Sequence, residues 1–100
     1  MARAVTEGGV KRLHATVTGR VQGVGFREYV RYEATSRGLT GFVRNCEDGR
    51  SVEVVAEGED AKIEELVQAL HGGPRFARVE QVDADLSDAS LAFGRFSIEF

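Results

Sequence analysis

The stretch Lys11-Arg12-Leu13-His14-Ala15-Thr16-Val17-Thr18-Gly19-Arg20-Val21-Gln22-Gly23-Val24-Gly25-Phe26-Arg27 changes its pattern midway, and the change organises the rest of the chain. Up to Thr18, Leu13, Ala15 and Val17 alternate with His14, Thr16 and Thr18. A period of two predicts a half-buried strand. The alternation stops at Gly19 and gives way to a segment punctuated by Gly23 and Gly25. Phe26, Tyr29, Val30 and Ala34 then fall at helical spacing, and Gly38 stands just past the expected helix end.

Downstream, Thr40 to Cys46 and Ser51 to Glu57 read as two short strands joined through Asp48-Gly49, a strong hairpin signal. In the second of these, Val52, Val54 and Ala56 share a face. Ile63, Leu66, Val67 and Leu70 define an amphipathic helix, with Glu59 and Asp60 at its start and Gly72-Gly73-Pro74 as its stop. Val79 to Leu86 reads as a strand in which Val79 and Val82 break the period of two, a sign of a bulge. Phe96, Ile98 and Phe100 alternate to the end. The order βαββαβ predicts an α+β fold, a ferredoxin-like α/β sandwich with two helices on one face of an antiparallel sheet. That fold hosts many functions, so function must be argued from a site.

A chain of 100 residues, 42% hydrophobic and 29% charged, is expected to form one domain over residues 1–100, with 1–9 as a flexible N-terminal extension. No apolar run reaches the ~18 residues of a membrane span, and the start lacks the apolar stretch of a signal peptide. The expected setting is the cytoplasm. Cys46 is the single cysteine, and with His14 and His71 it makes a poor metal set, so no metal is expected. The net charge of -3 conceals a split: residues 1–50 carry +4 and residues 51–100 carry -7. An acidic chain is a poor nucleic-acid ligand, yet its basic half can favour a small anion.

The loop before the first helix suits such an anion. Its glycines let backbone N–H groups turn inward, the following helix adds unpaired N–H groups and the positive end of its dipole, and Arg27 lies in the first turn. A cation there opposes the dipole unless an anion lies between them. A glycine turn beside a surface arginine explains the same residues equally well. The spacing is neither a dinucleotide fingerprint, since Glu28 stands where glycine is required, nor a nucleotide loop ending in Gly-Lys-Ser/Thr. Asn45 shares the parity of Val43 and so belongs on the helix-covered face near a strand end, where it can hold a water; a turn asparagine is the competing reading. Cys46 has the opposite parity and reads as a passive neighbour. His14 and His71 read as structural or solvent-facing, and Glu57 to Asp60 with Glu64 and Glu65 as solvated surface.

Gly19 to Arg27, followed by Gly38-Leu39-Thr40-Gly41-Phe42-Val43-Arg44-Asn45, Asp48-Gly49, Val52-Glu53-Val54, Glu57-Gly58 and Phe96-Ser97-Ile98, resembles the acylphosphatase family over about nine-tenths of the chain. The resemblance implies a small hydrolase, free of metal and cofactor, that cleaves the carboxyl–phosphate bond of acyl phosphates. It implies that Arg27 binds the phosphate together with backbone N–H groups of Val21, Gln22, Gly23, Val24, Gly25 and Phe26, and that Asn45 positions the attacking water. The implied partner is a small-molecule acyl phosphate, without nucleic acid or membrane, and the implied state is a monomer. Phe42 replaces the family's usual tryptophan, and Arg37 stands where an apolar residue is common. The segment from Asp48 to Val52 is one residue longer than the family pattern, which implies a bulge or a longer loop after Asn45. Two competing readings are an RNA-binding module, faintly echoed by Arg37 to Val43 on the wrong strand, and a domain that senses acyl phosphates without turning them over.

Overall fold

Leu13, Ala15 and Val17, the three alternating residues of the opening strand, are fully buried on an inner strand of a five-stranded sheet. The computed structural model describes residues 9–100. The expected N-terminal extension over 1–9 therefore lies, except for Gly9, outside the described residues. Strand β1 (Val10–Arg20) leads through the glycine loop into helix α1 (Phe26–Ser36), then β2 (Thr40–Asn45), β3 (Ser51–Glu59), helix α2 (Asp60–Gly72), β4 (Arg78–Asp88) and β5 (Phe96–Glu99). The sheet order is β4-β1-β3-β2-β5. Phe26, Val30 and Ala34 of α1 and Ile63, Leu66 and Leu70 of α2 form one core with Leu13, Ala15, Val17, Val43, Val52 and Val54. Both helices thus cover the same face, as the two amphipathic patterns require. Among the described residues no helix is long and apolar enough to cross a membrane.

The first four strands pair antiparallel, in keeping with the ferredoxin-like reading. The closing alternation adds a fifth strand that runs parallel to β2, with Gly41 beside Phe96 and Val43 beside Ile98, so the sheet is mixed and not wholly antiparallel. Its position follows from the link over residues 89–95, which carries the chain from one sheet edge to the other. Glu57, 3% exposed, anchors that link. Its carboxylate accepts the Ser90 N–H (2.8 Å) and Oγ–H (2.7 Å), the Leu91 N–H (2.8 Å) and the Arg12 guanidinium (3.3 Å). Leu91 is held there at a φ of 58°, in the left-handed region. Burial pushes the Glu57 pKa up, but these donors outweigh burial and hold it below the usual glutamate range.

The other irregularities are local. The β1–β4 register passes from Thr18 beside Gln81 to Gly19 beside Val79, which leaves Glu80 as the extra residue of the bulge that Val79 and Val82 signalled. Gly19, at φ 139°, lies so close to the Arg78 carbonyl and the Glu80 N that no Cβ fits. Between β2 and β3 the register is unbroken from Thr40 beside Glu57 to Asn45 beside Val52. The additional residue of this hairpin is therefore taken up by the loop. Arg37, at the end of α1, bonds Glu33 (2.6 Å) and reaches Glu65 of α2 (3.1 Å), tying the two helices together.

Gly19→Ala is expected to cost more than about 1 kcal/mol of stability, read as a lowered urea midpoint. For Glu57 the sign follows from its depressed pKa: its contribution is complete above the ordinary glutamate value and is lost as pH falls through the lower folded one. Glu57→Gln should therefore be less stable than the parent at pH 7 and lose less of its unfolding midpoint on acidification. Parallel profiles for the two proteins would count against this role.

Candidate active site

Because β1 and β2 are both antiparallel to β3, they run in the same direction and end at the same side of the sheet. The loop that follows β1 and Asn45, the last residue of β2, are thereby brought together. In the loop Val21 is buried, and Gly23 (φ 76°) and Gly25 (φ 80°) adopt left-handed conformations that reverse the chain toward α1. Gly25 is the N-cap of α1 and offers no capping side chain. The helix therefore begins with its positive end uncapped, which is the condition for receiving an anion.

Val21, Gly23, Gly25, Phe26, Arg27 and Asn45 line one cavity of about 130 Å³, together with Glu28, Ile98 and Phe100. This is smaller than the ~300 Å³ at which organic-ligand pockets begin and is suited to a small anion. A larger hollow of about 720 Å³ between α2 and β4 is walled mainly by apolar residues and Glu64 and Glu65. Size favours the second hollow, but convergent donors favour the first. The Arg27 guanidinium carbon lies 4.8 Å from the centre of the Phe100 ring. Stacking uses the face of the guanidinium and leaves its in-plane N–H groups available to a second partner. Glu28, also at the cavity, is paired with Arg31 at 2.7 Å.

Asn45 lies opposite Val52, on the helix-covered face that its parity indicated. Its Oδ1 is buried and has no hydrogen-bond partner. An acceptor left in this state costs about 1–3 kcal/mol, so its persistence at a cavity mouth calls for a ligand or a water. The hairpin beyond it is well tied. The Asp48 carboxylate accepts the Ser51 Oγ–H (2.7 Å) and the N–H groups of Arg50 (2.8 Å) and Ser51 (2.9 Å). These bonds, the Ser51 hydroxyl foremost, hold the Asp48 carboxyl below its usual range.

Of Gln22 and Val24 the resemblance implies the backbone N–H groups; their side chains turn elsewhere, that of Gln22 to the β2–β3 hairpin and that of Val24 onto the core. Phe100, Ile98 and Glu28 also line the cavity, although the sequence does not mark them as site residues. The only signal for the first two was the alternation at the chain end, which identifies a strand and leaves its neighbour undefined. His14 bonds Glu53 at 2.7 Å on the face away from the helices, and His71 lies in the last turn of α2, so neither enters the cavity.

A family model for acylphosphatase matches residues 13–98. The chain belongs to the acylphosphatase family. A curated relative named acylphosphatase, from Salinibacter ruber, is 53% identical over 88 residues, 88% of this chain and 92% of that protein. The crystal structure of acylphosphatase from Bacillus subtilis superposes with a TM-score of 0.86 at 40% identity, covering 90% of this chain and 99% of that one. An acylphosphatase from Coxiella burnetii gives a TM-score of 0.84 at 38% identity, over 93% and 96% of the two chains. The five-stranded mixed sheet with two helices is thus the architecture of acylphosphatases.

Next to Asn45, Cys46 carries a thiol whose pKa is raised, first by burial and then by Asp48 and Glu53. It is therefore more fully protonated at neutral pH than a free thiol. Alkylation of Cys46 by iodoacetamide at pH 7.5 should run slower than that of free cysteine. A faster reaction would contradict the passive role.

Proposed function

We propose that this acylphosphatase-family chain hydrolyses acyl phosphates to a carboxylate and inorganic phosphate without a metal ion. The observation that carries the reading is the meeting, in one small cavity, of Arg27, an uncapped helix start and the unpartnered Oδ1 of Asn45. In this proposal the Arg27 guanidinium and the N–H groups of Val21 to Phe26 hold the phosphoryl oxygens. Charge on those oxygens is met by fixed donors and by the positive end of α1, the role a cation plays in many phosphoryl-transfer sites. The Asn45 Oδ1 accepts a hydrogen bond from a water and aims its oxygen at phosphorus.

As the water oxygen bonds to phosphorus, the bond from phosphorus to the acyl oxygen breaks and the carboxylate departs. The water's proton passes to a phosphate oxygen, since a neutral carboxamide is no base. The leaving group is good, so positioning and charge stabilisation supply most of what the reaction requires. We place the chain in the cytoplasm as a monomer acting on a small molecule. The lone cysteine suits a reducing compartment, and the net charge of -3 disfavours nucleic acid.

The purified protein is expected to release phosphate from acetyl and benzoyl phosphate in the presence of EDTA. Arg27→Gln and Asn45→Ala should each lower turnover by about 10²- to 10³-fold. Undiminished turnover in both variants would sink the site assignment, and loss of activity in EDTA restored by a divalent cation would sink the metal-independent mechanism.

A further inference from the structure

The loop and the hairpin are joined by a single side chain that the mechanism above does not use. Gln22 is half-buried and directs its carboxamide across to the β2–β3 hairpin. Its Nε2 donates to the carbonyl oxygens of Cys46 and Ser51, each at 2.9 Å. Both protons of one nitrogen are thus used, on the residues that follow Asn45 and precede Val52, the last rung of the β2–β3 ladder. The Cys46 N–H donates to the same Ser51 carbonyl at 2.9 Å, closing the loop.

From this geometry we infer that Gln22 is a positioning residue that sets the separation between the phosphate-holding loop and Asn45. The inference rests on the proposed roles of that loop and of Asn45. A loop with glycines at 23 and 25 has little stiffness of its own, because glycine leaves its backbone conformation weakly restricted. Val21 and Phe26, both buried, hold its two ends on the core. Gln22 is the side chain of the loop that bonds to the strand end opposite. The hairpin itself does not depend on Gln22, being closed by the Asp48 bonds to Arg50 and Ser51, while a 3.2 Å contact between the Thr18 and Ser51 hydroxyls ties it to the end of β1. Removal of the strut should leave each half folded and loosen their mutual placement. A displacement of about 1 Å between reacting groups can cost about 10²-fold in rate.

The test compares the parent, Gln22→Met, Asn45→Ala and the double variant in benzoyl phosphate hydrolysis, inhibition by inorganic phosphate, and thermal unfolding. Methionine keeps the length and removes both donors. Gln22→Met is expected to lower kcat about 10- to 100-fold with KM, the phosphate inhibition constant and the unfolding midpoint little changed. The double variant should be as slow as Asn45→Ala alone, since a residue acting through another adds nothing once that other is gone. A joint rise in KM and the phosphate constant would make Gln22 a phosphate ligand and overturn the inference. So would a lowered midpoint with kcat intact, or losses that multiply in the double variant. If Asn45→Ala itself keeps full activity, the underlying site reading fails first, whatever Gln22→Met does. Gln22→Leu, also without donors, repeats the comparison should the methionine variant not fold.

Discussion

The shared antiparallel register of β1, β3 and β2 is the constraint on which the rest of the molecule depends. Two strands that each oppose β3 must run in the same direction, so the exit of β1 and the exit of β2 open on one side of the sheet. Side chains along a strand alternate between faces, and a slip of one residue would send Asn45 to the face away from the helices. The unbroken pairing from Thr40 beside Glu57 to Asn45 beside Val52 prevents that slip. It is reinforced by Val43, Val52 and Val54, all fully buried, which cannot be turned outward without losing the core. The loop from Cys46 to Arg50 falls outside the paired rungs and leaves that register untouched.

Charge is arranged on the same plan. The excess of arginine in the first half of the chain is mostly consumed by carboxylates: Arg31 by Glu28, Arg37 by Glu33 and Glu65, Arg44 by Glu53, and Arg50 by Glu80. Arg27 differs in being stacked on an aromatic ring at the cavity, where its partner is a face and not an acid. An exposed ion pair is worth little. An arginine held over an aromatic face beside an uncapped helix has more to offer an anion than to stability.

The carboxylate with the larger structural role is Glu57, which the sequence reading assigned to solvated surface. Its 3% exposure and four donors make it the fastening of the link that delivers β5 to β2. Nothing in its sequence neighbourhood indicates this, because the donors come from Arg12 and from Ser90 and Leu91, far along the chain on either side. The same holds for Phe100, whose ring reaches Arg27 only because β5 lies parallel to β2.

Local pattern was enough for the elements themselves: alternation marked the strands, three-and-four spacing the helices, and the broken period at Val79 and Val82 the bulge at Glu80. It was also enough to nominate the glycine loop, Arg27 and the face of Asn45, since these follow from backbone conformation, helix position and parity. These are short-range properties that the residues carry with them. Besides the anchoring of Glu57 and the reach of Phe100, tertiary structure alone decided the parallel fifth strand, the bond from Gln22 to the hairpin, and the buried, unpartnered Oδ1 of Asn45. Each depends on which distant segment the fold sets beside a residue, and the hydrophobic periodicity that names a strand or a helix carries no record of its neighbour.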